Sequence, residues 1–139
     1  MIKPASAICN MRCKYCFYAD ETSKRAVASY GIMSFNTLYS VLEKVLSKAT
    51  KSCVIVFQGG EPTLAGLPFF RKAINICKEK NVNHCNISFA IQTNGLLIDG
   101  EWCEFFAENH FLVGLSLDGP PELHNRNRTD VQGKDTFNR

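Results

Sequence analysis

The sequence predicts an α/β domain with parallel strands, and three observations carry that prediction. Short apolar runs alternate with longer segments whose apolar residues recur every three or four positions, the signature of strands separated by amphipathic helices. The first such run, Cys53 to Phe57 (CVIVF), is rich in β-branched residues and has no polar alternation, as expected of a strand covered on both faces in a parallel sheet. The chain has 139 residues, 45% apolar and 21% charged, proportions that let one domain bury a core without disulfides or a structural metal.

Taken in order, Tyr18 to Ile32 is polar, ends at Gly31 and reads as a connecting loop. Ser34 is then a plausible N-cap for a helix over about 35–49, because Phe35, Leu38, Val41, Leu42, Val45, Leu46 and Ala49 fall on one stripe. Cys53 to Phe57 is stopped by Gly59 and Gly60. Pro68 fits the first turn of a second helix, in which Phe69, Phe70, Ala73, Ile74 and Cys77 share a side until about Lys80. The next strand is Ile87 to Gln92, broken by Asn94-Gly95, and Asp99 caps a third helix carrying Trp102, Phe105 and Phe106. A further strand, Phe111 to Leu117, counted as the fourth, runs into Asp118-Gly119-Pro120-Pro121, which must turn because its prolines lack amide hydrogens. Lys134 to Arg139 reads as a helix start with Asp135 or Thr136 as cap, so the chain is expected to be truncated after about four βα units. In such a sheet the crossovers are right-handed and ligand sites collect at the carboxyl ends of the strands.

Composition narrows the function. Sixteen Lys and Arg against thirteen Asp and Glu give +3, with the basic residues scattered, so nothing demands nucleic acid. No apolar run approaches a membrane span, and Met1 to Ile8 is too short for a secretory signal, which makes the cytoplasm the default compartment. Seven cysteines, an odd number, point away from a disulfide framework and toward reduced thiols.

Their distribution is the informative feature. Cys9, Cys13 and Cys16 lie within eight residues, while Cys53, Cys77, Cys85 and Cys103 are dispersed and are expected to pack in the core. Spacings of four and three let one loop wrap a compact inorganic centre. A structural zinc would want a fourth ligand, and none of His84, His110 or His124 stands at finger or ribbon spacing. In a four-iron, four-sulfur cubane, three thiolates leave one iron open to a small molecule. The competing readings are a zinc knuckle and three incidental buried thiols.

The segment CNMRCKYC resembles the C-x3-C-x2-C pattern of the radical S-adenosylmethionine (radical SAM) superfamily, with an aromatic residue before the last cysteine. The wider stretches KPASAICNMRCKYCFY, FQGGEPTLAG, QTNGLLID and LVGLSLDGPPELHNRNR are similar to the anaerobic sulfatase-maturating enzymes and span nearly the whole chain. The resemblance implies that residues 1–139 are the N-terminal portion of a partial (β/α)6 radical SAM barrel. The remaining barrel strands, a cysteine-rich domain with auxiliary clusters and the catalytic aspartate are then expected beyond Arg139.

It also implies roles. Cys9, Cys13 and Cys16 would ligate a [4Fe-4S] cluster, and Gly59-Gly60-Glu61-Pro62 would bind the amino group of S-adenosylmethionine, with two glycines admitting close backbone approach and Glu61 accepting from an amine. Ser116 and Arg128 match positions that contact the ribose and carboxylate of that cofactor, Arg offering a planar fork for a carboxylate. Gln58 falls at a strand end facing the same site, and Tyr15 would lay an aromatic face on adenine. Tyr18, Gln92 and Asn94 are substrate-side candidates; Asp118 is expected to order the Gly119-Pro120 turn, and His124 to be structural. The implied reaction is reductive cleavage of S-adenosylmethionine to a 5′-deoxyadenosyl radical, which oxidises a Cys or Ser of a sulfatase to Cα-formylglycine. Its implied partners are a sulfatase polypeptide and an electron donor such as flavodoxin or ferredoxin. The alternatives are another radical SAM peptide-modifying enzyme, or a non-catalytic iron-sulfur or zinc module.

Overall fold

The computed structural model describes all 139 residues. Its elements are α1 (Phe17–Ser23), α2 (Phe35–Leu46), β1 (Ser52–Phe57), a 3-10 turn (Pro62–Ala65), α3 (Leu67–Lys80), β2 (Asn86–Thr93), α4 (Gly100–Glu108), β3 (Leu112–Leu115) and α5 (Pro121–Asn127). The strands form one parallel sheet in the order β1-β2-β3, with Phe57 opposite Ile91 and Gln92 opposite Gly114.

Local chemistry sets the helix ends. Ser34 accepts from the Thr37 amide and Asp99 from the Trp102 amide, so both expected N-caps form, and Pro68 sits in the first turn of α3. The first long helix ends at Leu46, three residues before the expected limit, where the Ser47 hydroxyl donates to the Lys44 carbonyl and the backbone turns away.

The core lies on one side of the sheet. Ile55 and Phe57 of β1 and Ile91 of β2 point into helices α2 to α4, where Leu38, Leu42 and Leu46 belong to one buried cluster with Phe69, Phe70, Ile76, Trp102 and Phe105. Edge-to-face contacts such as Phe57–Phe70 at 4.9 Å and Phe70–Trp102 at 5.2 Å add directional packing to the area buried.

Five expectations are corrected. The β1 strand is covered on one face only: Ile55 is buried, whereas Val54 is 63% exposed on the opposite, open face. Three regular strands form instead of four; Ile2 makes a single parallel bridge to Phe57, because Pro4 has no amide hydrogen to extend the ladder and residues 4–7 turn. The 18–32 loop contains α1, a short helix with no buried residue, held by surface pairs such as Lys24–Asp20 at 2.7 Å, so it carries no apolar stripe to read. Residues 134–139 start no helix: the Thr136 hydroxyl, proposed as a cap, donates instead to the Arg128 carbonyl at 2.7 Å. Cys77 and Cys85 are buried and Cys53 partly so, but Cys103 is exposed, one position past Trp102 and therefore about 100° round α4 from the buried face.

Candidate functional site

Side chains two apart share a face, and the parallel register extends that rule across the sheet. Gln58 follows Val54 and Val56 on the open face, and Gln92, Gly114 and Ser116 line up beside it at the carboxyl edge. Gln92 Nε2 donates to Ser116 Oγ at 3.0 Å. Gly114 leaves room for this pair, since a Cβ there would collide with Gln92 Oε1.

At this edge a cavity of about 330 Å³ is walled by Cys9, Cys13 and Cys16, by Tyr15 and Tyr18, by Gln58 to Glu61, and by Gln92, Asn94, Ser116 and Arg128. The sequence-predicted metal, cofactor and substrate residues are thus brought to one place. A larger cavity, about 660 Å³, lies at the opposite end of the strands around His84, Asn86 and His110, and contains none of them. The chemistry, not the size, identifies the first.

The cysteine loop is tied at its middle, on either side of Cys13. Arg12 N donates to the Thr129 carbonyl at 2.8 Å and Lys14 N to the Asn127 carbonyl at 2.9 Å, while Met11 is buried beneath. Burial pushes the Cys9 and Cys13 thiols above their ordinary range, and the Arg128 charge acts the other way on Cys13. No three His, Cys, Asp or Glu side chains of the chain converge on a point that could hold a single metal ion. On a cubane each thiolate would bind a different iron, so the three cysteines need not converge on one point.

Glu61 is 1% exposed, and its carboxylate is already engaged. Oε1 accepts from Thr63 N (3.0 Å), Thr63 Oγ1 (2.7 Å) and Thr93 Oγ1 (2.8 Å), and Oε2 accepts from Asn94 N (2.8 Å). The expectation of an amine on Glu61 therefore meets a side chain used to clamp the ends of β1 and β2 together. Gly60, at φ +56°, is pressed against the Ile8 carbonyl, which accepts from Glu61 N at 2.8 Å. Asn94 reaches the other way: its Nδ2 donates to Asn10 Oδ1 at 2.8 Å and lies 3.7 Å from Cys9 Sγ, so this substrate-side candidate braces the cysteine loop.

Tyr15 and Arg128 meet. Arg128 Nη1 donates to the Tyr15 hydroxyl at 2.7 Å, and that hydroxyl donates to Asp118 at 2.6 Å. Asp118 was expected to order its turn; its carboxylate instead faces Tyr15 and stands 3.7 Å from Arg128. Partial burial and the bond to Asp118 raise the Tyr15 phenol, keeping it a donor. Arg128 is 7% exposed, and its Nε is buried without a partner. An orphaned guanidinium donor beside three cysteines is a feature a bound anionic group would complete. Sequence reasoning put Thr93 with Gln92 and Asn94 at a strand end facing the site but missed its bond to Glu61, and it missed the Asp118 carboxylate; the period of two from Gly114 to Ser116 to Asp118 was the available signal for the latter.

The family model described as the radical SAM superfamily matches residues 4–138. The chain is 51% identical over 139 residues to the cysteine-type anaerobic sulfatase-maturating enzyme of Clostridium perfringens, covering all of this chain and 38% of that protein. The corresponding protein of Clostridium novyi is 46% identical over the same length, with 37% of it covered. The serine-type enzyme of Bacteroides thetaiotaomicron is 38% identical over 138 residues, 99% of this chain and 33% of its own. The solved structure of native anSMEcpe with bound AdoMet superposes with a TM-score of 0.92 at 51% identity, covering 98% of this chain and 37% of that one. The chain therefore spans between about a third and two fifths of the length of the curated relatives it matches.

Proposed function

The chain belongs to the radical SAM superfamily, and from its site geometry we propose that it forms the cofactor-binding part of an anaerobic sulfatase-maturating enzyme. The single observation that carries this reading is the convergence of Cys9, Cys13 and Cys16 with Gly59-Gly60, Ser116 and Arg128 around one cavity at the carboxyl edge of the sheet.

The residues fit the group the family implies. Cys9, Cys13 and Cys16 hold a [4Fe-4S] cluster, one thiolate short of a closed set. Arg128, with its unpartnered Nε, receives the carboxylate of S-adenosylmethionine, and Ser116 its ribose. Gly59 and Gly60 present backbone to the amine, and Glu61 fixes their position by tying them to Thr93 and Asn94. Tyr15 and Gln58 line the rest of the cofactor's place, and Tyr18, Gln92 and Asn94 lie toward the substrate. Bound together, cluster and S-adenosylmethionine supply the one-electron chemistry that removes a hydrogen atom from the substrate. The residues of this chain bind, orient and shield.

The substrate is a Cys or Ser of a sulfatase, converted to Cα-formylglycine, and the reductant is a flavodoxin or ferredoxin. Identity to both cysteine-type and serine-type relatives supports the reaction class. No helix is long and apolar enough to cross a membrane, in keeping with action in the cytoplasm. Two measurements test the reading. Anaerobic reconstitution with iron and sulfide loads the unmodified chain and Cys77→Ala equally and leaves Cys13→Ala empty; equal iron in all three contradicts it. Mass spectrometry of a sulfatase peptide incubated with the complete gene product shows conversion of the target side chain to an aldehyde, and an unchanged peptide contradicts the substrate assignment.

A further inference from the structure

Arg128 and Asp118, the two partners of the Tyr15 hydroxyl, come from different segments, and one buried side chain connects their backbones. His124, 5% exposed on α5, has its Nδ1 3.4 Å from the Asp118 amide nitrogen and its Nε2 3.1 Å from Thr136 Oγ1. Thr136, also 5% exposed, donates its hydroxyl hydrogen to the Arg128 carbonyl at 2.7 Å. Arg128 N in turn donates to the His124 carbonyl at 2.7 Å, so the Arg128 backbone is gripped on both sides by the same pair.

The directions of these bonds are forced. A backbone amide only donates, so Nδ1 is bare and accepts from Asp118. The Thr136 hydroxyl has one hydrogen, already given to Arg128, so its oxygen accepts from Nε2–H. Every group is satisfied for one tautomer of the neutral ring and no other. The loop holding Thr136 is itself fastened to α5, since Asn125 Oδ1 accepts from the amides of Thr136 (3.1 Å) and Phe137 (3.0 Å), and the Phe137 ring lies edge-on to the imidazole at 5.5 Å. Only the far end of this arrangement reaches the cavity.

We infer that His124 and Thr136 are positioning residues: a buried imidazole–hydroxyl strut that sets Arg128 and Asp118 at the distance at which they hold Tyr15 against the cofactor cavity. The inference rests on the reading of Arg128 as a cofactor contact. Without the strut, the Arg128 carbonyl loses its hydroxyl partner, the C-terminal end of α5 loosens, and the guanidinium is no longer pre-aimed.

The test uses Thr136→Val, which keeps the shape and removes the hydroxyl, beside Thr136→Ser, which restores it. Affinity for S-adenosylmethionine is measured on the anaerobically reconstituted chain. Thr136→Val binds about 3- to 10-fold more weakly at unchanged iron content, the effect of one hydrogen bond, and Thr136→Ser returns to the unmodified value. Unweakened binding by Thr136→Val overturns the inference while Arg128→Ala still loses binding. If Arg128→Ala also binds normally, or the unmodified chain binds none, the cofactor reading itself fails and takes the inference with it. Should Thr136→Val not fold, nitrogen NMR of the imidazole in the unmodified chain decides. A bare Nδ1 and protonated Nε2 sustain the strut, and a proton on Nδ1 refutes it.

Discussion

Replacing Glu61 by Gln changes one atom at the centre of the clamp between β1 and β2, and its cost follows from the donors around it. The carboxylate receives four protein hydrogens, three on Oε1 and one on Oε2, and is buried. Either orientation of the amide turns an NH2 toward at least one donor. The less costly one sacrifices the bond from Asn94 N, leaving a buried amide without an acceptor, and weakens the other three because the acceptor is no longer charged. Together these amount to about 3 kcal/mol, or a fall of about 10 °C in Tm for a domain of this length. Asn94 is also the brace on Asn10 and Cys9, so iron incorporation falls with stability. The assay is thermal and urea unfolding under anaerobic, reducing conditions, with iron content measured on the same samples. A Glu61→Gln chain within about 0.5 kcal/mol of the original, the range of an ordinary surface change, refutes the clamp.

The remaining expectations concern other parts of the molecule. Gly60→Ala places a methyl group on the Ile8 carbonyl at a left-handed backbone position, and is expected to lower stability by about 1–3 kcal/mol in urea unfolding and to reduce S-adenosylmethionine binding more than Gly100→Ala, where a Cβ meets nothing. Burial pushes the Cys77 thiol up to about 12, so at pH 8 only roughly one molecule in ten thousand is thiolate, and iodoacetamide monitored by peptide mass mapping labels exposed Cys103 long before Cys77. Asp130 is held below its ordinary value near 3.8, first by the Lys134 amide, then by the Gln132 amide and Arg139. Its contribution is therefore complete above pH 3.8 and disappears as pH falls through the lower folded value, so Asp130→Asn flattens the acid limb of Tm against pH below about 4.

Much of the fold could be read because its signals are local. Ser34 and Asp99 cap helices by contacts three residues away, and the stripes of α2 to α4 recur with the helical period. What escaped depends on partners distant in sequence. The one-sided burial of β1 follows from which face the helices cover, which CVIVF alone does not encode. α1 has no buried face, so periodicity was silent on it. In the site, the cysteine loop and Gly59-Gly60-Glu61 were legible as strings, but their geometry was not: Glu61 is answered by Thr93, 32 positions away, and Tyr15 by Asp118, 103 positions away. His124 looked merely structural because its two partners, Asp118 and Thr136, lie on either side of α5, and only the folded chain brings them to the ring.

The proposed function turns on three cysteines holding a cluster with one iron left to S-adenosylmethionine. Electron paramagnetic resonance of the reduced, anaerobically reconstituted chain, recorded with and without S-adenosylmethionine, tests it most directly. The expected result is a cluster signal whose shape changes when the ligand is added, and which is missing from Cys13→Ala. A signal indifferent to the ligand, or a colourless chain carrying stoichiometric zinc, contradicts it.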